Sequence, residues 1–294
     1  MGRPVRAFGA FLSVCVITAL PSHSQTMHLS GRAFDVDLYG NIYVLDGEKN
    51  TLCLYDKSGK LRRDVGGPGW LDGQFDRPAA VWARNGIDVF VADYGNHRIE
   101  RFDRSLNFIS SFSTRGSDNP DEQFGYPSGV ALSRLGELFI CDTENGRIVK
   151  VDRFSTVERT FGGIGGGTGR LTAPTSVGVG PKDAVYVLDG SRVAVFDAFG
   201  NYIRDLAPGI IRHPSALFAG NESLAVLDSA AVLVFDSDER PAGAVPLNSL
   251  VPTGEDIRGV AVGSGELYLL GPEGILRVPG PGRPSDLDNN PISH

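Results

Sequence analysis

Cysteine and histidine are scarce in this chain, whose 294 residues include three Cys and five His. A zinc centre needs three or four converging nitrogen or sulfur ligands. After residue 25 only His28, His97, His213, His294, Cys53 and Cys141 are available, scattered along the sequence. Neither a Gly-x-Ser-x-Gly elbow nor a His-Glu-x-x-His element is present, which removes the serine-hydrolase and zincin readings. Basic charge is in deficit, with 28 Lys and Arg against 35 Asp and Glu and a net charge of −7. A nucleic-acid partner is therefore not expected, because it would be held by a basic patch that neutralises phosphates. Long apolar runs are also missing beyond the N-terminus. No segment after residue 25 approaches the ~18 uninterrupted apolar residues of a membrane span.

The first 25 residues stand apart. Arg3 and Arg6 make a basic start, Phe8 to Leu20 an apolar run, and Pro21 to Gln25 a small, polar exit, which is the build of a secretory signal peptide. The expectation is an exported chain, periplasmic or extracellular. Loss of residues 1–25 takes away two basic residues and no acid, deepening the net charge from −7 to −9. Cys53 and Cys141 then remain in an oxidising compartment. The repeat described next puts them in the first and third units, farther apart than the ~4.4–6.8 Å that a disulfide spans between Cα atoms. Two buried free thiols are expected.

Turn-forming residues are abundant. The 38 Gly and 18 Pro recur along the chain, as many short strands joined by tight turns require. An internal repeat organises them. GNIYVLD ends at Asp46, GIDVFVAD at Asp93, GELFICD at Asp142, DAVYVLD at Asp189 and SLAVLD at Asp228, and GELYLL runs into Gly271 as a sixth copy. The successive spacings are 47, 49, 47, 39 and 43 residues. Within a unit, an apolar strand such as SGVALS leads through a Gly turn to the Asp-ended strand. A third strand follows (LCLYD, RIERFD, RIVKVD, VAVFD or LVFD), and then a fourth, less regular one. Six units of four antiparallel strands, each burying its faces only against neighbours, predict an all-β, six-bladed β-propeller over residues 26–279. Blade 6 shows no evident fourth strand, so a three-stranded last blade is expected, and residues 280–294 read as a disordered Pro-rich tail.

VADYGNHRIERFD, followed by a Gly-rich loop and QFGYPSGVAL, resembles the NHL repeat. Copies beginning near Ala33, Ala79 and Ser128 match the pattern well, and the last three units match it loosely. The resemblance implies a six-bladed propeller, in agreement with the six units counted. From Asp46, Asp93 and Asp142 the next strand-ending Asp lies ten residues on, but from Asp189 and Asp228 only eight. Blades 4 and 5 have thus lost the Asn-x-Arg-Ile element, and the long polar loops belong to blades 1 to 3.

The Asp closing the second strand (Asp46, Asp93, Asp142, Asp189, Asp228) recurs in five blades, more often than a catalytic carboxylate is needed. It is read as a turn cap. Arg98 and Arg147 recur with the Asn-x-Arg-Ile element and are read as partners of carboxylates or carbonyls at blade junctions. His97 differs, since its counterparts are Asn50 and Gly146. FGGIGGGTGR at 161–170 lies between an outer strand and TAPTSVGV, and so reads as a blade linker; a phosphate loop would lead into a helix.

Strands alternate in direction, so the turn after each second strand and the linker into the next blade emerge on one face, termed the upper face. Its large loop side chains in blades 1 to 3 are the binding candidates: Trp70, Asp72, Arg77, Tyr94, His97, Arg115, Tyr126 and Glu144. Aromatics and Arg most often anchor recognition. The expected function is a monomeric interaction module without a cofactor, binding a protein, peptide or glycan through these loops. The alternative is a calcium-dependent lactonase- or lyase-type enzyme with a metal in the central channel. For that, the mostly apolar inner strands offer only Asp35 and Asp37.

Overall fold

The structure is a computed structural model and describes residues 25–27, 31–153, 156–250 and 256–280. The expected signal segment through Ser24 and the tail from Pro281 lie outside the described residues. The strands form six antiparallel sheets arranged as the blades of a propeller. Gln25–Met27 is β1. Blade 1 holds β2 (Ala33–Val36), β3 (Ile42–Asp46), β4 (Thr51–Tyr55) and β5 (Leu61–Gly66), and blade 2 holds β6 (Ala80–Trp82), β7 (Asp88–Asp93), β8 (Arg98–Asp103) and β9 (Phe108–Phe112). Blade 3 comprises β10 (Pro127–Leu132), β11 (Glu137–Asp142), β12 (Arg147–Asp152) and β13 (Thr156–Phe161), and blade 4 comprises β14 (Pro174–Val179), β15 (Val185–Asp189), β16 (Arg192–Phe196) and β17 (Tyr202–Asp205). Blade 5 runs from β18 (Pro214–Ala219) through β19 (Leu224–Asp228) and β20 (Ala231–Phe235) to β21 (Pro241–Pro246), and blade 6 contains β22 (Gly259–Gly263), β23 (Glu266–Gly271) and β24 (Gly274–Pro279).

The second strand of each blade reads as an unbroken apolar run because neighbouring blades cover both its faces. β3, β7, β15 and β19 are buried at every position. The fourth strands face solvent, and β5 is exposed at five of its six residues, which is why their sequences are irregular. The linkers into blades 2 to 5 drop apolar side chains into the core, where Phe75, Phe124, Leu171 and Ile211 are all buried. Burying such a side chain stabilises by roughly 1.5–3 kcal/mol, enough to hold a Gly-rich loop in place.

The last blade has three strands of its own, as expected, and the ring is closed by a strand from the other end of the described chain. β1 adds a fourth along β24, with Gln25 opposite Arg277, Thr26 opposite Leu276 and Met27 opposite Ile275. Met27 is buried in the cluster that also holds Phe34, Ile275 and Val278. The first and last strands among the described residues thus share a blade. Both thiols are unpaired, as expected, but only Cys141 is buried; Cys53, on the third strand of its blade, is half-buried.

Candidate functional site

The five recurrent Asp residues grip the upper-face loops. Asp93 accepts the Asp76 N–H at 2.8 Å, Asp142 the Gly125 N–H at 3.1 Å, Asp189 the Thr172 and Ala173 N–H groups, and Asp228 those of Arg212 and His213. Asp46 caps its own turn at Glu48 and Lys49. Where the Asn-x-Arg element is present, the arginine completes the clamp. Arg98 donates to Asp93 and to the carbonyls of Trp70, Leu71 and Gln74, while Arg147 donates to Asp142 and the Gln123 carbonyl. Both arginines therefore hold the preceding linker down on the blade.

On that scaffold, loops of blades 2 and 3 bring six of the eight expected side chains together. The Tyr94 and Tyr126 rings lie 5.1 Å apart, His97 meets Tyr126 edge-on at 4.2 Å, and the Arg77 guanidinium stands 5.4 Å from the Tyr94 ring centre. His97 Nδ1 accepts from Arg115 at 3.0 Å and from the Tyr126 N–H at 3.1 Å. With two donors on Nδ1, the proton of the neutral imidazole resides on Nε2. Burial and the Arg115 cation hold its pKa below the ordinary 6.5, against the opposing pull of Glu144. Arg115 is also paired with Glu144 at 2.9 Å. Gly125 lies so close that a Cβ there would strike the Glu144 carboxylate and Arg115.

Trp70 and Asp72 lie apart from this cluster, on the adjoining linker, where Trp70 is 75% exposed and so does not pack the loop onto the blade. The linker is tied to the His97 turn by Asn96, whose amide donates to the Gly69 carbonyl at 2.8 Å. Glu144 also borders a cavity of about 760 Å³ between blades 3 and 4, walled by Arg147, Phe161, Tyr202 and the Gly-rich loop of Gly162, Gly163, Ile164, Gly165 and Gly166. FGGIGGGTGR is thus the loop between β13 and β14 and leads into a strand.

The turn position of His97 is left-handed in each long-loop blade, with φ of 53° at Asn50, 55° at His97 and 60° at Gly146. Gly and Asn adopt this conformation readily, whereas other residues do so at a cost of about 1–2 kcal/mol. The repeat explains Asn50 and Gly146; the imidazole is explained by the contacts it makes.

Two charged residues with long-range contacts escaped the sequence reading. Arg84, just past β6, donates through Nε to both Asp35 oxygens at 3.1 Å, donates to the Ala219 carbonyl, and lies 4.1 Å from the Phe218 ring centre. It therefore bridges blade 1 and blade 5, reaching across the ring. Asp35 also accepts the Ala83 N–H, and Asp37 is consumed by its own turn, accepting the Tyr39 and Asn41 N–H groups and the Asn41 amide. These two carboxylates do not fit the calcium role considered from sequence, since their oxygens are already committed. Among the described residues no three His, Cys, Asp or Glu side chains converge as metal ligands. Counting six residues from the proline that opens each blade gives Arg84, Ser133, Gly180 and Gly220, a contrast that could have marked Arg84. The second missed residue is Glu100, seven residues after Asp93, where the other long-loop blades have Cys53 and Val149.

Residues 124–151, which run from the Tyr126 linker to the end of β12, match the family model of the NHL repeat. The chain carries an NHL repeat within a six-bladed β-propeller. Over 139 residues this chain is 30% identical to Protein brain tumor of Drosophila melanogaster, a match covering 46% of this chain and 13% of that protein. Over 138 residues it is 24% identical to the probable peptidyl-alpha-hydroxyglycine alpha-amidating lyase pgal-1 of Caenorhabditis elegans, covering 44% of this chain and 38% of that protein. The matched stretches span well under two thirds of either relative. A catalytically inactive virginiamycin B lyase from Staphylococcus aureus, solved with quinupristin, superposes with a TM-score of 0.60 at 11% identity, covering 87% of this chain and 98% of that chain. At that identity the likeness is one of fold. The NHL propeller fold supports a protein-interaction module, and no helix among the described residues is long and apolar enough to cross a membrane.

Proposed function

We propose that this chain is an exported interaction module that binds a protein or peptide partner on the upper face of blades 2 and 3. The observation that carries the reading is the stacked cluster of Arg77, Tyr94, Tyr126 and His97 with the Arg115–Glu144 pair beside it. Aromatic rings and arginines with fixed charges at their edge are the usual composition of an interface anchor. Of the partner classes considered, a protein surface suits it best, because rings and charges of both signs lie side by side. Export rests on the N-terminal sequence, and a monomer suffices for the site as built. The enzymatic alternative has less support, since the channel carboxylates serve Arg84 and a turn.

The test is site-specific photo-crosslinking in the producing cell, from Trp70 and from Leu135 on the opposite face, followed by titration of the captured partner. Support requires an adduct from Trp70 that is absent from Leu135, together with an affinity loss of tenfold or more in Tyr94→Ala and Arg115→Ala. Equal capture from both positions, or unchanged affinity in both variants, removes the reading.

A further inference from the structure

Glu100 projects from β8 beneath the linker that carries Trp70, and it is 0% exposed. Its Oε1 accepts the Gly73 N–H at 3.2 Å and lies 2.9 Å from Arg98, but Oε2 has no hydrogen-bond partner. A buried carboxylate with an unpaired oxygen is costly in its charged form. Only one cation is at hand to offset that cost, because Arg98 is shared with the equally buried Asp93. Asp72 on the linker adds negative charge, and the remaining packing against this face of blade 2 is apolar: Tyr43, Leu45, Leu52, Phe75 and Phe102. The repeat does not call for an acid at this position, which is Cys53 in blade 1 and Val149 in blade 3.

We propose that Glu100 is a proton-binding site that couples ionisation to the opening of the Gly67–Phe75 linker, so that the upper-face surface is ordered when Glu100 is protonated and loosened when it is charged. A buried carboxylate has two escapes from its desolvation: it can bind a proton, or it can admit water. The cover it must shed is a Gly-rich loop tied to its neighbours chiefly by Gly67 N–H to Asn50 O, the Asn96 amide to Gly69 O and the Arg98 clamp, and braced internally by Gly69 N–H to Phe75 O and Phe75 N–H to Gly67 O. Burial pushes the Glu100 carboxyl from 4.5 up to about 7, with Arg98 opposing. An opened loop restores the ordinary value. The closed state therefore holds the proton more tightly than the open one, and raising pH across that interval shifts the equilibrium toward opening by on the order of 10²-fold. This deepens the partner-binding reading by naming its regulation and rests on it only for what the linker presents. The proton linkage itself belongs to the free protein.

The experiment is amide hydrogen exchange on the partner-free protein between pH 5 and pH 8, corrected for intrinsic exchange rates. Protection at Gly69, Gly73 and Phe75 is expected to fall by on the order of 10²-fold as pH rises, and to be independent of pH in Glu100→Gln. The amide of Leu171, bonded to Gly162 in the corresponding loop of blade 3, provides the control and should hold its protection in both proteins. A carboxyl ¹³C titration of the wild-type protein needs no variant and should place Glu100 near 7. Linker protection that does not vary with pH, a dependence retained in Glu100→Gln, or a Glu100 midpoint near the ordinary 4.5 each overturns the proposal.

Discussion

The Nδ1 atom of His97 receives the backbone N–H of Tyr126 at 3.1 Å, joining a turn of blade 2 to the linker that enters blade 3. The same nitrogen accepts from Arg115, so protonating the ring removes two hydrogen bonds at once. The folded protein takes up this proton less readily than the unfolded chain, because burial and Arg115 depress the pKa. The stability His97 contributes is thus complete above 6.5 and is lost as pH falls through the lower folded value. Replacement with Asn keeps a side chain suited to positive φ and removes the imidazole. His97→Asn is expected to melt within a few degrees of wild type at pH 8 and to lack the His97-dependent loss of stability at pH 5. The difference between the two proteins at each pH, measured by thermal denaturation, isolates the effect.

Removing Arg98 leaves Asp93 and Glu100 buried without their shared cation and frees three linker carbonyls. Breaking a buried pair in this way typically costs about 3–5 kcal/mol. Arg98→Ala should therefore lose more stability than Arg147→Ala, whose guanidinium is paired with Asp142 alone. Urea midpoints for the two variants decide the order.

Because Glu100 binds its proton more tightly when folded, its favourable contribution is complete below 4.5 and is lost as pH rises through about 7. Glu100→Gln should match wild type at pH 4.5 and exceed it at pH 8 by roughly 1–3 kcal/mol. A variant less stable than wild type at pH 8 would contradict the burial argument.

Arg84 neutralises Asp35, whose carboxyl burial pushes up and Arg84 draws back. Arg84→Ala should cost about 3 kcal/mol or more by leaving that charge buried and unpaired. Exhaustive chelation should leave the melting temperature of wild type unchanged. A stoichiometric calcium ion whose removal lowers it would restore the enzymatic alternative.

β1 begins at Gln25, opposite Arg277, so mass analysis of the secreted form that the proposed export implies is expected to find Gln25 retained. Met27→Ala, which empties a buried position between blades 6 and 1, should cost roughly 2 kcal/mol or more in a denaturant titration.

The repeat was legible because apolar runs ending in Asp at intervals of 39 to 49 residues are required wherever a strand is buried on both faces and a linker must be capped. Asp93 and Asp142 could be assigned to scaffold from recurrence alone, and their bonds to Asp76 and Gly125 supply the reason. Ring closure was less legible. The pairing of Gln25–Met27 with β24 joins segments some 250 residues apart, and three residues carry no periodicity of their own. Arg84 and Glu100 carry no repeat signature, since each is marked only by departing from what the other blades have at its position.

Periodicity and turn chemistry are local properties of a chain, and from them follow the all-β class, the six blades, the Asp caps and the face on which His97 emerges. Which side chains meet is settled by the ring. Curling six sheets about an axis sets Tyr126 of one linker against His97 of the previous blade, Arg84 of blade 2 against Ala219 of blade 5, and a glycine loop over Glu100. Those contacts depend on the rotation between blades and on where water is excluded, and neither is written in any single repeat.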